Sequence, residues 1–327
     1  MNWKLKAHAL ALLSRAPGGR KAYHFLQRSL GTNRPDTAEY VKRALEIVEM
    51  IRDAGGNPRQ GIYFEIGTGW RPFLPFILYL VGAEKVISFD VNPWLNQDYA
   101  FQTYHALEEQ LPCIADRLDL DLSELRKRYE DASQARDLPA LLRAFHMDYR
   151  CPGDARRTAL PDQSVDFVCS SNVLQHVPPG VLRDVHKESF RILRPGGLAA
   201  HRCCLSDNFS HADQSITAAH FLRFSQRQWY WMGGSGLAYQ NRLRAVEVCQ
   251  LLEETGFSVV NDRVRVDARS LEAIQSGRLQ IHEDFARFTP DQLAASYLWL
   301  VGRRPDSPSR SHAGNGKMRR NSREKAL

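Results

Sequence analysis

A short apolar run, Tyr63-Phe64-Glu65-Ile66, ends in Gly67-Thr68-Gly69, and Pro72 then opens an apolar stretch that reaches Leu80 before Gly82. Glycines at the end of a strand let the chain turn sharply and let a ligand approach the backbone, while the following helix aims its N-terminus at that spot. A second apolar run, Val86-Ile87-Ser88-Phe89, ends in Asp90, 21 residues after Gly69. Strand, glycine turn, helix and strand make one βαβ unit. That unit restricts the chain to a largely parallel, doubly wound α/β sheet with helices on both faces.

The remaining periodicity extends this sheet. Thr37 to Ala54 carries Tyr40, Val41, Ala44, Leu45, Val48 and Ile51 at helical spacing, and Gly55-Gly56-Asn57-Pro58 stops it. Residues 95–145 read as Leu-, Arg- and Glu-rich helices, a longer crossover than a simple βαβ unit needs. Further strands are expected around 147–151, 165–169, 198–204, 257–260 and 297–301, with helices from Pro179 and over 244–254. The predicted organisation is a helical extension over 1–58, a catalytic α/β domain over 59–302, and a disordered basic tail over 303–327.

Charge is distributed unevenly along the 327 residues: residues 1–35 sum to +7, residues 303–327 to +6, and the body between them to −6. A mildly acidic body argues against specific nucleic-acid binding, which wants a basic face on the fold itself. No stretch approaches the ~18 apolar residues of a membrane span. The basic first helix, residues 1–15 with Trp3, either packs on the body or makes weak contact with an anionic membrane surface. The six cysteines show no C-x-x-C spacing, and reduced, inert core thiols in a cytoplasmic protein fit them. The pattern suggests no metal site.

The glycine turn is not a dinucleotide fingerprint, because Pro72 stands where a third glycine would be needed. An acid two residues before Gly67 is unwelcome beside a pyrophosphate but suits a ligand bearing an ammonium or a sulfonium, and S-adenosylmethionine carries both. Asp90, at a strand end, is placed to accept hydrogen bonds from ribose hydroxyls. The motifs then continue in order: Gly153-Asp154-Ala155, Leu160-Pro161-Asp162, Ser164 to Val168, Asn172-Val-Leu-Gln-His176-Val177, Arg191 to Gly197, and Glu254-Thr-Gly-Phe257.

In this ordered set the chain resembles the class I S-adenosylmethionine-dependent methyltransferases of the small-molecule, type 11-like kind. The resemblance implies a seven-stranded Rossmann-like sheet whose last strand is antiparallel. It also implies S-adenosylmethionine as cofactor, with Glu65, Gly67 and Gly69 holding the methionine portion, Asp90 the ribose, and Asp154 with Ala155 the adenine. Trp70-Arg71 and the long 95–145 segment depart from the family pattern. Each residue has a plainer role beside this one: Glu65 as a solvated strand-end acid, Asp154 as a turn cap, Asn172 as an ordinary loop residue.

Methyl transfer needs in-line positioning and exclusion of water; a base matters when the acceptor is a hydroxyl and little when it is a neutral amine. The candidate catalytic residues are His211, set between Asp207 and Asp213, His176 and Asn172. Residues 206–242 hold seven aromatics in 37 positions, near twice the chain-wide 10%, and read either as a lid over a small-molecule acceptor or as an aromatic core under a loop. Arg223, Arg227, Arg242 and Arg244 are candidates for an anionic group on the acceptor, or are simply solvated. Two other functions stay open at this point, a nucleic-acid methyltransferase and a nicotinamide-dependent oxidoreductase. Ser170-Ser171-Asn172-Val173 lacks the Asn/Asp-Pro-Pro-aromatic clamp expected of the first, and Glu65 with the missing third glycine opposes the second. Acceptor identity and oligomeric state are not written in these residues.

Overall fold

The computed structural model describes residues 2–19, 36–232 and 236–306; the tail expected to be disordered lies, from residue 307 onward, outside the described residues. Seven strands form one sheet: β1 (Ile62–Ile66), β2 (Lys85–Phe89), β3 (Met147–Arg150), β4 (Val165–Ser171), β5 (Leu193–Cys204), β6 (Ser258–Val266) and β7 (Ala295–Arg303). Their order is β3-β2-β1-β4-β5-β7-β6. The first five run parallel, and β7 inserts antiparallel between β5 and β6. All seven expected strands are present, with β6 longer than its apolar pattern suggested. As the exposed edge strand it alternates apolar with charged residues, and that pattern discourages pairing with another chain.

Because successive residues on a strand face opposite ways, one sheet serves two cores. Tyr63, Val86, Phe167 and Leu198 pack on one face with helices Thr37–Asp53 and Phe73–Leu80 and the helical crossover. Phe64, Ile87, Val168 and Ala199 pack on the other with helices Pro179–Ile192 and Ala245–Glu253. Helix Phe73–Leu80 is apolar on all sides and every one of its side chains is buried, as a helix of that composition must be. The crossover folds as four short helices, Gln97–Glu108, Leu111–Leu118, Leu122–Glu130 and Leu138–Ala144.

A third core answers the question posed by the aromatic segment. Phe209, Phe221 and Trp229 are buried together with Trp3, Ala7 and Leu10 of helix Trp3–Arg15. Phe209, Phe221 and Trp229, with Phe224 packed against them, are therefore core under a loop, whereas Tyr230 and Trp231 are exposed. Arg242 donates to the carbonyls of Phe221 and Phe224, and Arg244 to those of Leu205 and Ala295. Both guanidiniums are occupied in fastening this segment, while Arg223 and Arg227 stay exposed.

Helix Thr37–Asp53 is anchored by a buried ion pair. Glu46 Oε2 accepts from Arg202 Nε at 2.7 Å and from Trp299 Nε1 at 2.8 Å. Burial alone would raise the Glu46 pKa, but these two donors outweigh it and the carboxyl titrates below its ordinary value.

Two histidines are buried neutral on the other side of the sheet. His186 and His201 are fully buried with rings 5.5 Å apart. His201 Nδ1 meets Ser170 Oγ at 2.9 Å, whereas neither ring nitrogen of His186 has a partner among the described residues. Burial pushes the His201 pKa from 6.5 down to about 4 and that of His186 well below 6.5. A depressed folded pKa leaves stability intact above 6.5 and removes it as pH falls towards the folded value, about 2 kcal/mol for His201 by pH 5. Urea unfolding should show a lower midpoint at pH 5 than at pH 7, and the double variant His186→Gln/His201→Gln should flatten that dependence. An equal slope in the variant would show that other groups carry the acid sensitivity.

Candidate active site

Asp90 ties together three segments that are distant in sequence. Its Oδ2 accepts the Gly69 N–H at 2.8 Å and its Oδ1 the Asn92 N–H at 2.9 Å. Its backbone carbonyl accepts Gly153 N–H at 2.8 Å, while Gly67 N–H bonds the neighbouring Phe89 carbonyl at 2.8 Å. The glycine turn, the end of β2 and the loop after β3 are thereby fixed relative to one another. Glycine is required at these crossings. Gly67 has φ +79 and a Cβ there would strike Val173, and a Cβ on Gly153 would meet the Arg150 carbonyl at 2.7 Å. Gly69, with φ +69, has open space over its Cα.

Beside this junction, at the carboxyl ends of β1, β2 and β4, lies a cavity of about 680 Å³. That volume falls within the ~300–1,000 Å³ of small-molecule sites. Its lining includes Gly67, Asp90, Asp154 and Ala155, together with Asn172, His176, Tyr239 and the apolar Val173, Val177, Val181 and Val185. Six of the nine residues expected at the site thus line one cavity. Gly69 adjoins it through its bond to Asp90.

Two residues expected at the site lie elsewhere. Glu65 points into the protein behind the turn, its carboxylate bonded to Ser88 Oγ, which in turn bonds Thr68 Oγ1. Burial outweighs those bonds and lifts its pKa from 4.5 to about 7. The reason lies in strand parity, since Glu65 sits within β1 with its neighbours already committed to the two faces of the sheet. His211 lines a second cavity with Ser206, Arg265 and Tyr297. Its Nε2 is 3.8 Å from Cys204 Sγ, the contact that raises its pKa. The flanking acids are engaged otherwise: Asp207 takes Phe209 N–H and His220, and Asp213 takes Trp3 N–H and Ser215.

Within the cavity, Asp154 is paired with Arg156, whose Nε donates to Oδ1 and whose Nη2 donates to Oδ2. Arg156 is on the wall too and was not anticipated, nor was Trp94, which stacks on Trp70 at 4.7 Å. Asn172 sits in a left-handed conformation, φ +57, which asparagine tolerates. Its Oδ1 accepts from Arg202 Nη1 at 2.6 Å, so the buried ion pair described above also holds the loop after β4. His176 Nδ1 is 3.1 Å from the Tyr239 carbonyl. A carbonyl only accepts, so Nδ1 carries the proton, and in the neutral ring Nε2 bears the lone pair. Desolvation by the cavity wall lowers the His176 pKa below 6.5, although part of the side chain reaches solvent.

The residues fit S-adenosylmethionine. Asp90 spends two of about four acceptor sites on the backbone and keeps the others for hydroxyls.

The sheet order with its inserted antiparallel β7, and a small-molecule cavity at the carboxyl ends of the strands, define a Rossmann-like methyltransferase fold. The model of a methyltransferase domain matches residues 107–201, a stretch that begins after Asp90 and includes Asp154, Asn172 and His176. That match covers less than a third of the chain, and over it the chain is similar to the methyltransferase domain family. No curated protein matches it. Among solved structures it is similar to an S-adenosylmethionine-dependent methyltransferase from Mesorhizobium loti, at 12% identity over 78% of this chain and 95% of that one with a TM-score of 0.43. It is also similar to one from Methanosarcina mazei, at 15% identity over 76% and 93% with a TM-score of 0.40. The [4+2]-cyclase SpnF is alike to the same degree, at 13% identity over 81% of each chain with a TM-score of 0.41.

Replacing Asp90 by alanine should weaken S-adenosylmethionine binding measured by calorimetry roughly 10- to 100-fold, the loss of charge-assisted hydrogen bonds worth about 1.5–3 kcal/mol. Asp90→Asn, which keeps an acceptor for Gly69, should fall between. An unchanged dissociation constant in Asp90→Ala would remove this carboxylate from the site.

Proposed function

We propose that this protein transfers a methyl group from S-adenosylmethionine to an oxygen or nitrogen of a small-molecule acceptor. The observation that carries the reading is one cavity lined by Asp90, by Gly67 of the glycine turn and by His176. Residues 59–302 act as the methyltransferase domain. Gly67, Gly69, Asp90, Asp154 and Ala155 hold the cofactor, while Glu65 acts from behind the turn. Of the 206–242 segment, Gly236, Leu237 and Tyr239 reach the cavity and cover the acceptor. When bound, the cofactor supplies a methyl group on a positively charged sulfur, an electrophile that needs no further activation.

The chain's own residues orient and dry the acceptor. The valine wall excludes water, and Asn172, fixed by Arg202, sets the position of the loop. His176 Nε2 accepts the proton of a hydroxyl acceptor and is dispensable for a neutral amine. The distant His211 has no part in this step. Among the described residues no helix is long and apolar enough to cross a membrane, and the six cysteines are free thiols; a reducing, cytoplasmic setting suits them.

Radiolabelled S-adenosylmethionine incubated with the protein and fractionated extract of its source should label a low-molecular-weight product. Label appearing only in nucleic acid would contradict the small-molecule acceptor. With that product's precursor in hand, His176→Ala should lower kcat by about 10²-fold or more for a hydroxyl acceptor while leaving cofactor affinity within a factor of two. Affinity for the cationic cofactor should rise as pH passes through about 7, where Glu65 ionises, and Glu65→Gln should abolish that step in a calorimetric pH series. A step that persists in the variant would assign it to another group.

A further inference from the structure

Nine large apolar side chains are exposed among the described residues, and five of them are more than half exposed. Four of those five, Leu5 at 68%, Leu12 at 72%, Tyr230 at 54% and Trp231 at 59%, fall on two helices, Trp3–Arg15 and Gln226–Met232. Helix Trp3–Arg15 spends Trp3, Ala7 and Leu10 on the third core. Leu5 and Leu12, seven residues apart and therefore on one line of the helix, remain outside. On the second helix Trp229 is buried, while Arg227, Tyr230 and Trp231 stand exposed at helical spacing. The two helices touch at this face, where the Arg15 guanidinium lies over the Trp231 ring at 5.0 Å. Their charged side chains, Lys4, Lys6, Arg15 and Arg227, are all cations.

We propose that this two-helix face docks on an anionic lipid bilayer. Exposed leucines beside Trp and Tyr, ringed by Lys and Arg on two helices that carry no carboxylate of their own, combine the two terms that drive peripheral membrane binding; Asp213 and Asp284 lie at the helix N-termini, bonded to the N–H groups of Trp3 and Gln226. Apolar side chains enter the headgroup boundary, and bases meet the negative surface potential. Trp and Tyr favour that boundary because they carry an apolar body and a polar tip, and the long basic side chains keep their charge at the headgroups. A nucleic acid would use the bases and leave the leucines in water. The docking helix is also joined to the cavity, since Ser14 Oγ accepts the N–H of Leu237, a cavity-lining residue, at 3.0 Å. A segment that lines the cavity is therefore fastened to the docking helix.

The test is flotation of the full-length protein with vesicles of phosphatidylcholine alone and of phosphatidylcholine with about one third phosphatidylglycerol. The protein should float with the anionic vesicles and not with the neutral ones, and high salt should release it, since exposed charges are screened beyond a few Å at 1 M ionic strength. Leu12→Ala/Trp231→Ala should reduce binding about tenfold or more, while Val264→Ala, exposed on β6, leaves it unchanged; equal melting temperatures show that all variants fold. Failure to float, equal binding to neutral vesicles, or binding indifferent to the Leu12/Trp231 change would each overturn the proposal. So would sedimentation showing a dimer that the double variant dissolves, in a protein that ignores vesicles.

Discussion

The Asp90 carboxylate is the constraint on which the site depends. It is 93% buried by area, and burial raises its pKa against the lowering effect of its backbone donors. A carboxylate so placed is tolerated because it is hydrogen-bonded, and its bonds run to the glycine turn and to its own strand end. Without it, Gly69 would lose the partner that fixes its left-handed turn, and the cavity would lose the boundary on which its cofactor side is built. The loop carrying Asp154 is attached to the same residue through Gly153. One acid thus both shapes the cavity and supplies its negative charge.

Another part of the cavity lining, at Asn172, is set by a chain of a different kind. Glu46 on helix Thr37–Asp53 holds Arg202 on β5, and Arg202 holds Asn172 after β4. Breaking a buried pair of this kind strands a charge, so the geometry of the loop is bound to the stability of the fold. Asp90 and His176 line the same cavity, together with the apolar Val173, Val177, Val181 and Val185.

Much of the fold was legible in the sequence because it depends on local signals. Apolar runs ended by Gly67, Asp90 and Gly153 mark strand ends, and the apolar stretch from Phe73 to Leu80 marks a helix with no solvent face. The cavity residues at those strand ends were legible for the same reason. Two others were not. The side of β1 to which Glu65 points is decided by the parity of the whole strand, and Ser88, its partner, comes from β2. Placing His211 required knowing that Asp207 and Asp213 are used by His220 and by the N-terminal helix, contacts that span 13 and 210 residues. The aromatic segment was ambiguous for the same physical reason, because part of its core is supplied from far along the chain, Trp3, Ala7 and Leu10 from the first helix and Ala273, Leu279, Phe285 and Leu293 from beyond the segment.

The most direct measurement is a crystal structure of the protein grown with S-adenosylhomocysteine. Asp90 is predicted to accept hydrogen bonds from both ribose hydroxyls, with the adenine beside Asp154 and Ala155. Density for the nucleoside in the cavity at His211, or a ribose that leaves Asp90 untouched, would contradict the assignment of the site.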